Sequence, residues 1–255
     1  MRRYDGEVAV VTGASSGLGR RLAIDLAGRG ARVVGIARRR ELLEVLQKEA
    51  GVEALVCDVG ESDALGEALA DVERGAGRID ILISAAALEA HTPIPGASLD
   101  DFRSAMAVNF FGVVAGTLAV LPGMVERRHG IVVNVSSDSA RAPAPGGAAY
   151  AASKGAVSSF TESVALEVAD RGVHVHVLYP GWVPTAMGLA AVERGMPLPP
   201  RPVRRTEEQI SKLVLEHMGG SAIELNASRL PVMAPLARAF FPKAYRRSVT
   251  KSSSS

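Results

Sequence analysis

Tyr150 and Lys154 stand four residues apart in the run Tyr150-Ala151-Ala152-Ser153-Lys154. On a helix this spacing stacks a phenol and an ammonium on one face. A free tyrosine titrates at about pH 10, which makes it a poor acid–base group at neutrality. A cation within about 5 Å stabilises the phenolate and draws that value down. The chemistry on offer is proton transfer. Tyr-x-x-x-Lys also arises by chance on many helices, so the pair counts only in company. Ser137, thirteen residues upstream and directly after an apolar run, supplies it.

A second feature is Thr12-Gly13-Ala14-Ser15-Ser16-Gly17-Leu18-Gly19, between a β-branched run and a helical repeat. In a parallel α/β sheet such a turn places a dinucleotide pyrophosphate on the helix N-terminus. Gly13 permits the tight turn, Gly17 lets backbone approach phosphate, and Gly19 allows close helix–strand packing. The spacing G-x-x-x-G-x-G differs from the commoner G-x-G-x-x-G, and an ordinary glycine-rich turn is the plain alternative. After the second apolar run come Arg38-Arg39-Arg40, with no acid before Glu41. An acid here accepts from both ribose hydroxyls and favours NAD, whereas a guanidinium pairs with a 2′-phosphate. The arginines therefore predict NADP(H) ahead of NAD(H). The plain alternative is three solvated arginines at a helix start, where positive charge is mildly unfavourable.

These residues need a frame, and the patterning supplies it. Residues 8–11 read as a buried strand, and Leu18, Leu22 and Leu26 recur at helical spacing until Gly28 and Gly30. Strands follow at 32–36, 53–57, 79–83, 131–135 and 173–178, and helices at 41–50, 64–73, 102–125 and 150–169. Helical crossovers between short apolar strands imply a parallel sheet covered on both faces. The prediction is a doubly wound, Rossmann-type α/β domain over residues 1–225, with roughly seven strands. Thr206 and Glu207 open a helix through Met218, and 222–225 forms a last strand.

Composition narrows the classes. At 255 residues the chain sits at the upper edge of one domain, and 47% hydrophobic against 22% charged residues excludes disorder of the body. A net charge of +2 is too small for a phosphate-backbone binder, so no nucleic-acid partner is expected. One cysteine, Cys57, excludes a disulfide framework and reads as core filler. His91, His129, His174, His176 and His217 show no ligand spacing, so no metal is expected. His174 and His176 alternate on one strand and should face the same side. No signal-peptide core follows Met1, and the apolar stretch 110–121 is too short to span a bilayer. A cytoplasmic protein is the expectation.

With Asn109, Asp58-Val59 and Pro180-Gly181-Trp182-Val183-Pro184-Thr185 added, the pattern resembles the short-chain dehydrogenase/reductase family in its short single-domain branch. The resemblance runs from about residue 6 to 185, fading toward 225. It implies that Tyr150 is the general acid for carbonyl reduction and the base for alcohol oxidation. It implies that Lys154 lowers the tyrosine pKa and holds the nicotinamide ribose, and that Ser137 donates to the substrate oxygen. Asn109 would kink its helix and hold a relay water. The cofactor would touch Gly13, Ser15, Ser16, Gly17, Leu18, Gly19, Arg38, Arg39, Asp58, Val59, Ala85, Pro180, Gly181, Val183 and Thr185. Arg38 would occupy the discriminating position, and Asp58 and Val59 would hold the adenine.

One departure stands out: Ser84-Ala85-Ala86-Ala87 replaces the family's Asn-Asn-Ala-Gly. Ala85 cannot tie neighbouring strands through its side chain, and Ala87 restricts the turn. Residues 186–205 take the lid position, with Met187, Leu189, Met196 and Leu198 able to line an apolar pocket. An apolar ketone, aldehyde or secondary alcohol follows as substrate. A 3-oxoacyl-thioester ketoreductase is the alternative, and a non-catalytic NADP sensor a remote one. The resemblance implies homodimers or homotetramers.

Charge is divided unevenly: residues 1–224 hold all 27 acids, whereas residues 225–255 hold six basic residues and no acid. Met233, Leu236, Ala237, Phe240 and Phe241 would share one helical stripe in this extension, flanked by Arg238, Lys243, Arg246 and Arg247. It would lie on an anionic membrane, dock an acyl carrier, fold over the pocket or join subunits. Residues 252–255 are expected to be disordered.

Overall fold

The computed structural model describes residues 2–194, 196 and 198–251. The expected disordered end at 252–255 lies outside the described residues, as do Gly195 and Pro197 of the lid.

Seven parallel strands form one sheet: β1 (Val8–Thr12), β2 (Arg32–Ala37), β3 (Glu53–Val56), β4 (Ile81–Ser84), β5 (Gly130–Val135), β6 (Val173–Tyr179) and β7 (Glu224–Asn226). Their spatial order is β3-β2-β1-β4-β5-β6-β7, so the winding reverses between β1 and β4. Alternate residues feed two cores. Ala9, Val11, Ile81 and Ile83 face one side, packed by α1 (Gly17–Ala27), α2 (Arg40–Ala50) and α8 (Glu207–His217). Val10, Val34, Leu82 and Val132 face the other, packed by α3 (Ser62–Ala76), α5 (Gly112–Arg127) and α6 (Ala148–Glu167). Burial on both faces explains why the strands read as unbroken apolar runs rather than alternating ones.

The helix expected at 102–125 begins earlier and is interrupted. Ser98 and Asp101 form a reciprocal capping box that starts α4 at Leu99 (Leu99–Met106). A π-turn at Ala107–Phe111 then joins α4 to α5. The whole run, Leu99–Arg127, is long and apolar enough to cross a membrane by composition, longer than the apolar stretch 110–121 suggests. Its inner face, Val113, Gly116, Thr117, Val120 and Met124, is nevertheless buried in the domain. The crossover helix is apolar because it packs on the sheet.

Beyond β6 come α7 (Ala186–Glu193) and α8, whose capping box joins Thr206 to Gln209. The last strand sits two residues later than expected, because Glu224–Asn226 pairs with Val177–Tyr179. The tail is also not one helix. Phe241 leaves helical geometry and Pro242 starts anew, giving α9 (Ala234–Phe240) and α10 (Pro242–Lys251). The predicted single stripe is therefore cut in two, with Phe240 and Phe241 about 70% exposed at the break.

Candidate active site

The carboxyl ends of β1, β4, β5 and β6 converge on one cleft, where open α/β sheets bind ligands. Tyr150 and Lys154 rise into it from the first turns of α6, and Ser137 follows β5 directly. Tyr150 is partly exposed at the cleft, whereas Lys154 is 1% exposed. The lysine ammonium donates to the Val135 carbonyl at 2.8 Å and lies 5.9 Å from the centre of the tyrosine ring.

Burial dominates both titrations. It pushes Tyr150 up to about 12, with the contact to Ser137 pulling it back and the charges of Glu89 and Asp138 adding to the rise. It lowers Lys154 to about 8. The expected draw toward neutrality by the lysine is thus outweighed in the protein alone, because the cation is itself desolvated and spent on a carbonyl. The phenol stands protonated, ready to give a proton.

Ser137 accepts from the Ser139 amide at 3.2 Å and its hydroxyl at 3.0 Å, which orients the side chain. Its neighbour Ser136 is structural: its Oγ donates to the Lys154 carbonyl at 2.9 Å, and it lies 2.8 Å from the Ser158 hydroxyl. Asn109 is fully buried in the π-turn. Its amide nitrogen donates to the Leu88 carbonyl and to Ser153 Oγ, each at 2.9 Å, and its oxygen accepts from the Leu88 amide at 2.6 Å. Widening the helix by one residue aims Asn109 at this loop, so the side chain joins α5, α6 and the segment after β4.

The glycine turn fits a dinucleotide. Gly13 has φ +71°, and a Cβ there would meet the Ala86 amide nitrogen at 2.7 Å. A Cβ on Gly19 would meet the Gly13 carbonyl oxygen at 2.5 Å, which is the close packing expected of it. Ser16 precedes Gly17 at the start of α1 without capping it, and the first turn, through Leu18, carries no acid. Free amides and an acid-free terminus suit an anion. Arg39 donates to Ser15 Oγ at 2.9 Å and Ser16 Oγ at 2.7 Å, tying the end of β2 to this turn. Arg38, expected to discriminate, and Arg39 are both exposed, and the Arg38 guanidinium lies 3.5 Å from Asp58 Oδ2. Asp58 also accepts from the Gly60 amide, and Val59 is buried beside it.

The segment Pro180 to Thr185 lies against the same turn, with the Thr185 methyl 3.2 Å from the place a Gly17 Cβ would take. Gly181 takes φ +73°, Val183 is buried, and Thr185 caps α7 by accepting from the Gly188 amide at 3.2 Å. Of the lid residues, Met187 and Met196 are half-buried, whereas Leu189 and Leu198 are exposed.

The missing asparagine is replaced from the other strand. Thr12 Oγ1 accepts from the Ala85 and Ala86 amides at 3.1 and 3.2 Å, so β1 and β4 remain tied. Ala87 needs no left-handed conformation, since Arg128 is the one non-glycine residue with positive φ among the described residues. Ser84 Oγ is buried without a hydrogen-bond partner, the trace of a shortened side chain. Glu89 and Asp138 escaped sequence reasoning, because each lies in an irregular segment with no motif around it. Glu89 pairs with Arg194 at the end of α7, and burial raises Asp138 to about 6 against the pull of Arg141 and Arg205. Cys57 packs partly buried beside the core as filler, and His174 and His176 stack face to face.

A short chain dehydrogenase family model matches residues 7–194. A short chain dehydrogenase of Pseudocercospora fijiensis is 39% identical over 73% of this chain and 62% of its own length. Dehydrogenase/reductase SDR family member 7B of Bos taurus is 36% identical over 75% of this chain and 63% of its own. The chain thus spans less than two thirds of either relative. Among solved structures, an actinorhodin polyketide ketoreductase variant with NADPH superposes with a TM-score of 0.79 at 29% identity, covering 87% of this chain and 95% of its own. An NAD+-bound xylitol dehydrogenase superposes with 0.78 at 26% identity, covering 89% and 99%. With the sheet order, the glycine turn and the family match in agreement, the chain belongs to the short-chain dehydrogenase/reductase family of oxidoreductases, whose members bind a nicotinamide cofactor.

Proposed function

We propose that this protein interconverts the carbonyl and secondary alcohol of an apolar small molecule with NADP(H). The observation that carries the reading is the phenol of Tyr150, partly exposed in the cleft beside Ser137, with Lys154 buried behind it. The glycine turn and residues 180–185 would hold the nicotinamide cofactor, which would supply or take up the hydride when bound. Tyr150 gives its proton to the substrate oxygen in reduction and recovers it in oxidation. Ser137 donates to the same oxygen as negative charge develops there. Lys154 supports the phenolate and holds the ribose, and Asn109 fixes the Leu88 segment that borders the cleft.

The preference for NADP(H) rests on Arg39 with the Ser15 and Ser16 hydroxyls, a cluster of donors that suits a 2′-phosphate. Both NADPH and NAD+ occur among similar structures, so this preference is tested by exchange of the cofactor. Arg39→Ala should raise the KM for NADPH by about tenfold or more, since a charge-assisted bond contributes about 1.5–3 kcal/mol, and leave NADH nearly unchanged. Equal loss with both cofactors would contradict it.

A second reading, reduction of 3-oxoacyl thioesters, is favoured by the likeness to a polyketide ketoreductase. Turnover of acetoacetyl thioesters in preference to simple ketones would support it. For the tail, exposed Met233, Leu236, Phe240 and Phe241 beside Arg238 and Lys243 favour contact with an anionic lipid surface over a helix covering the pocket. Deleting residues 229–255 should abolish binding to phosphatidylserine vesicles; unchanged binding would remove the idea.

A further inference from the structure

We propose that the end of the sheet opposite the cleft holds a divalent transition-metal ion, zinc in the first instance, between Glu7, Asp80 and His129. The three residues directly precede β1, β4 and β5, which are neighbours in the sheet, so the topology itself gathers them. Nothing in their sequence spacing announces this.

Asp80 is fully buried, and its two oxygens differ. Oδ2 is satisfied by the Val8 amide and the Arg78 guanidinium, each at 2.9 Å. Oδ1 is buried with no hydrogen-bond partner, and so is Oε2 of Glu7. Both bare oxygens turn toward the half-exposed imidazole of His129, whose Nε2 lies 3.6 Å from Glu7 and 3.9 Å from Asp80. Those separations exceed a hydrogen bond, so a proton on His129 leaves both oxygens unsatisfied. Leaving two buried carboxylate oxygens bare is costly.

A cation removes that cost. One ligand atom from each residue lies within 4.8 Å of the other two. A point among atoms so spaced is about 2.4 Å from each, a few tenths longer than zinc's usual bonds of about 2.0–2.2 Å to imidazole and carboxylate. Small rotations of the half-exposed histidine close the difference, and its solvent side leaves room for a water as fourth ligand. One imidazole nitrogen with two carboxylate oxygens suits zinc, whereas magnesium prefers all-oxygen shells with several waters. The ion would staple three strand beginnings together, far from Tyr150. It is structural, not catalytic.

The test uses the full chain, stripped with chelator and titrated with zinc chloride by calorimetry and thermal unfolding. Expected is one site per chain, a raised melting temperature and unchanged turnover. Cobalt(II) should give the visible bands of a tetrahedral site, and magnesium should do neither. His129→Ala, at a half-exposed position that need not disturb folding, should weaken zinc at least tenfold and abolish the bands, as loss even of outer partners costs about 10–100-fold. Equal zinc binding by the His129→Ala protein would overturn the proposal, because the metal would then sit elsewhere. So would failure of zinc to bind the native chain, which would leave the three side chains as a cluster without a metal.

Discussion

A phenol and an ammonium four residues apart shift in opposite directions when each is desolvated. Tyr150 is pushed up to about 12 and Lys154 down to about 8, so each is driven toward its neutral form. The sign of the pH dependence follows. Reduction needs the neutral phenol, which is present throughout the physiological range, so kcat/KM for reduction should be flat from pH 6 to about 8. It should decline above about 8 as Lys154 loses its charge. Oxidation needs the phenolate, so kcat/KM for the alcohol should climb with pH from 6 upward. Since kcat/KM reports the free enzyme, a pH series in each direction checks both limbs. An oxidation limb already level at pH 7 would contradict it. Asn109 makes a separate prediction: Asn109→Ala removes three hydrogen bonds at a buried site. Denaturant unfolding should show a loss of about 2–4 kcal/mol.

The elements explain which parts of the site could be read from sequence. The glycine turn was legible because Gly13 and Gly19 answer to backbone geometry, which no other residue type satisfies. The pairing of Tyr150 with Lys154 was legible because helical spacing fixes it locally. The π-turn was not, since one extra residue in a helix leaves no periodic signature, and without it Asn109 would point elsewhere. Nor was the replacement of the lost asparagine by Thr12, which depends on β1 and β4 being neighbours although Thr12 and Ala85 lie 73 residues apart in the chain. Arg39 rather than Arg38 reaching the serines likewise depends on how β2 ends against α1. The unpaired Ser84 hydroxyl yields a test of this element-level repair: with Thr12 holding the strands, Ser84→Ala should leave the melting temperature unchanged or raise it. A marked fall would show that Ser84 carries the tie.

At the scale of the molecule, the doubly wound parallel sheet was legible from alternation, but its strand order and its surfaces were not. Phe111 at the end of the π-turn, Leu118 on α5 and Leu166 on α6 are each more than half exposed, and Phe110 packs edge-on against Phe160. We propose that this apolar face on two adjacent helices is where two copies of the chain would meet. Leu118→Glu should then shift the protein to monomer in light scattering, and an unchanged mass would remove this face as the interface. The tail divides the molecule electrically, with every acid at or before Glu224 and six basic residues after it. Such a division is invisible in a net charge of +2. Under the proposed function, this scaffold moves a hydride from NADPH while Tyr150 moves the proton. The most direct measurement is carbonyl-dependent NADPH oxidation across a panel of apolar ketones and acyl thioesters, with NADPH affinity measured in parallel, for the native chain and Tyr150→Phe. Turnover by the native chain is expected, with a loss of about a hundredfold or more in Tyr150→Phe and NADPH affinity retained. No NADPH binding and no turnover on any substrate, or full activity without the Tyr150 hydroxyl, would contradict it.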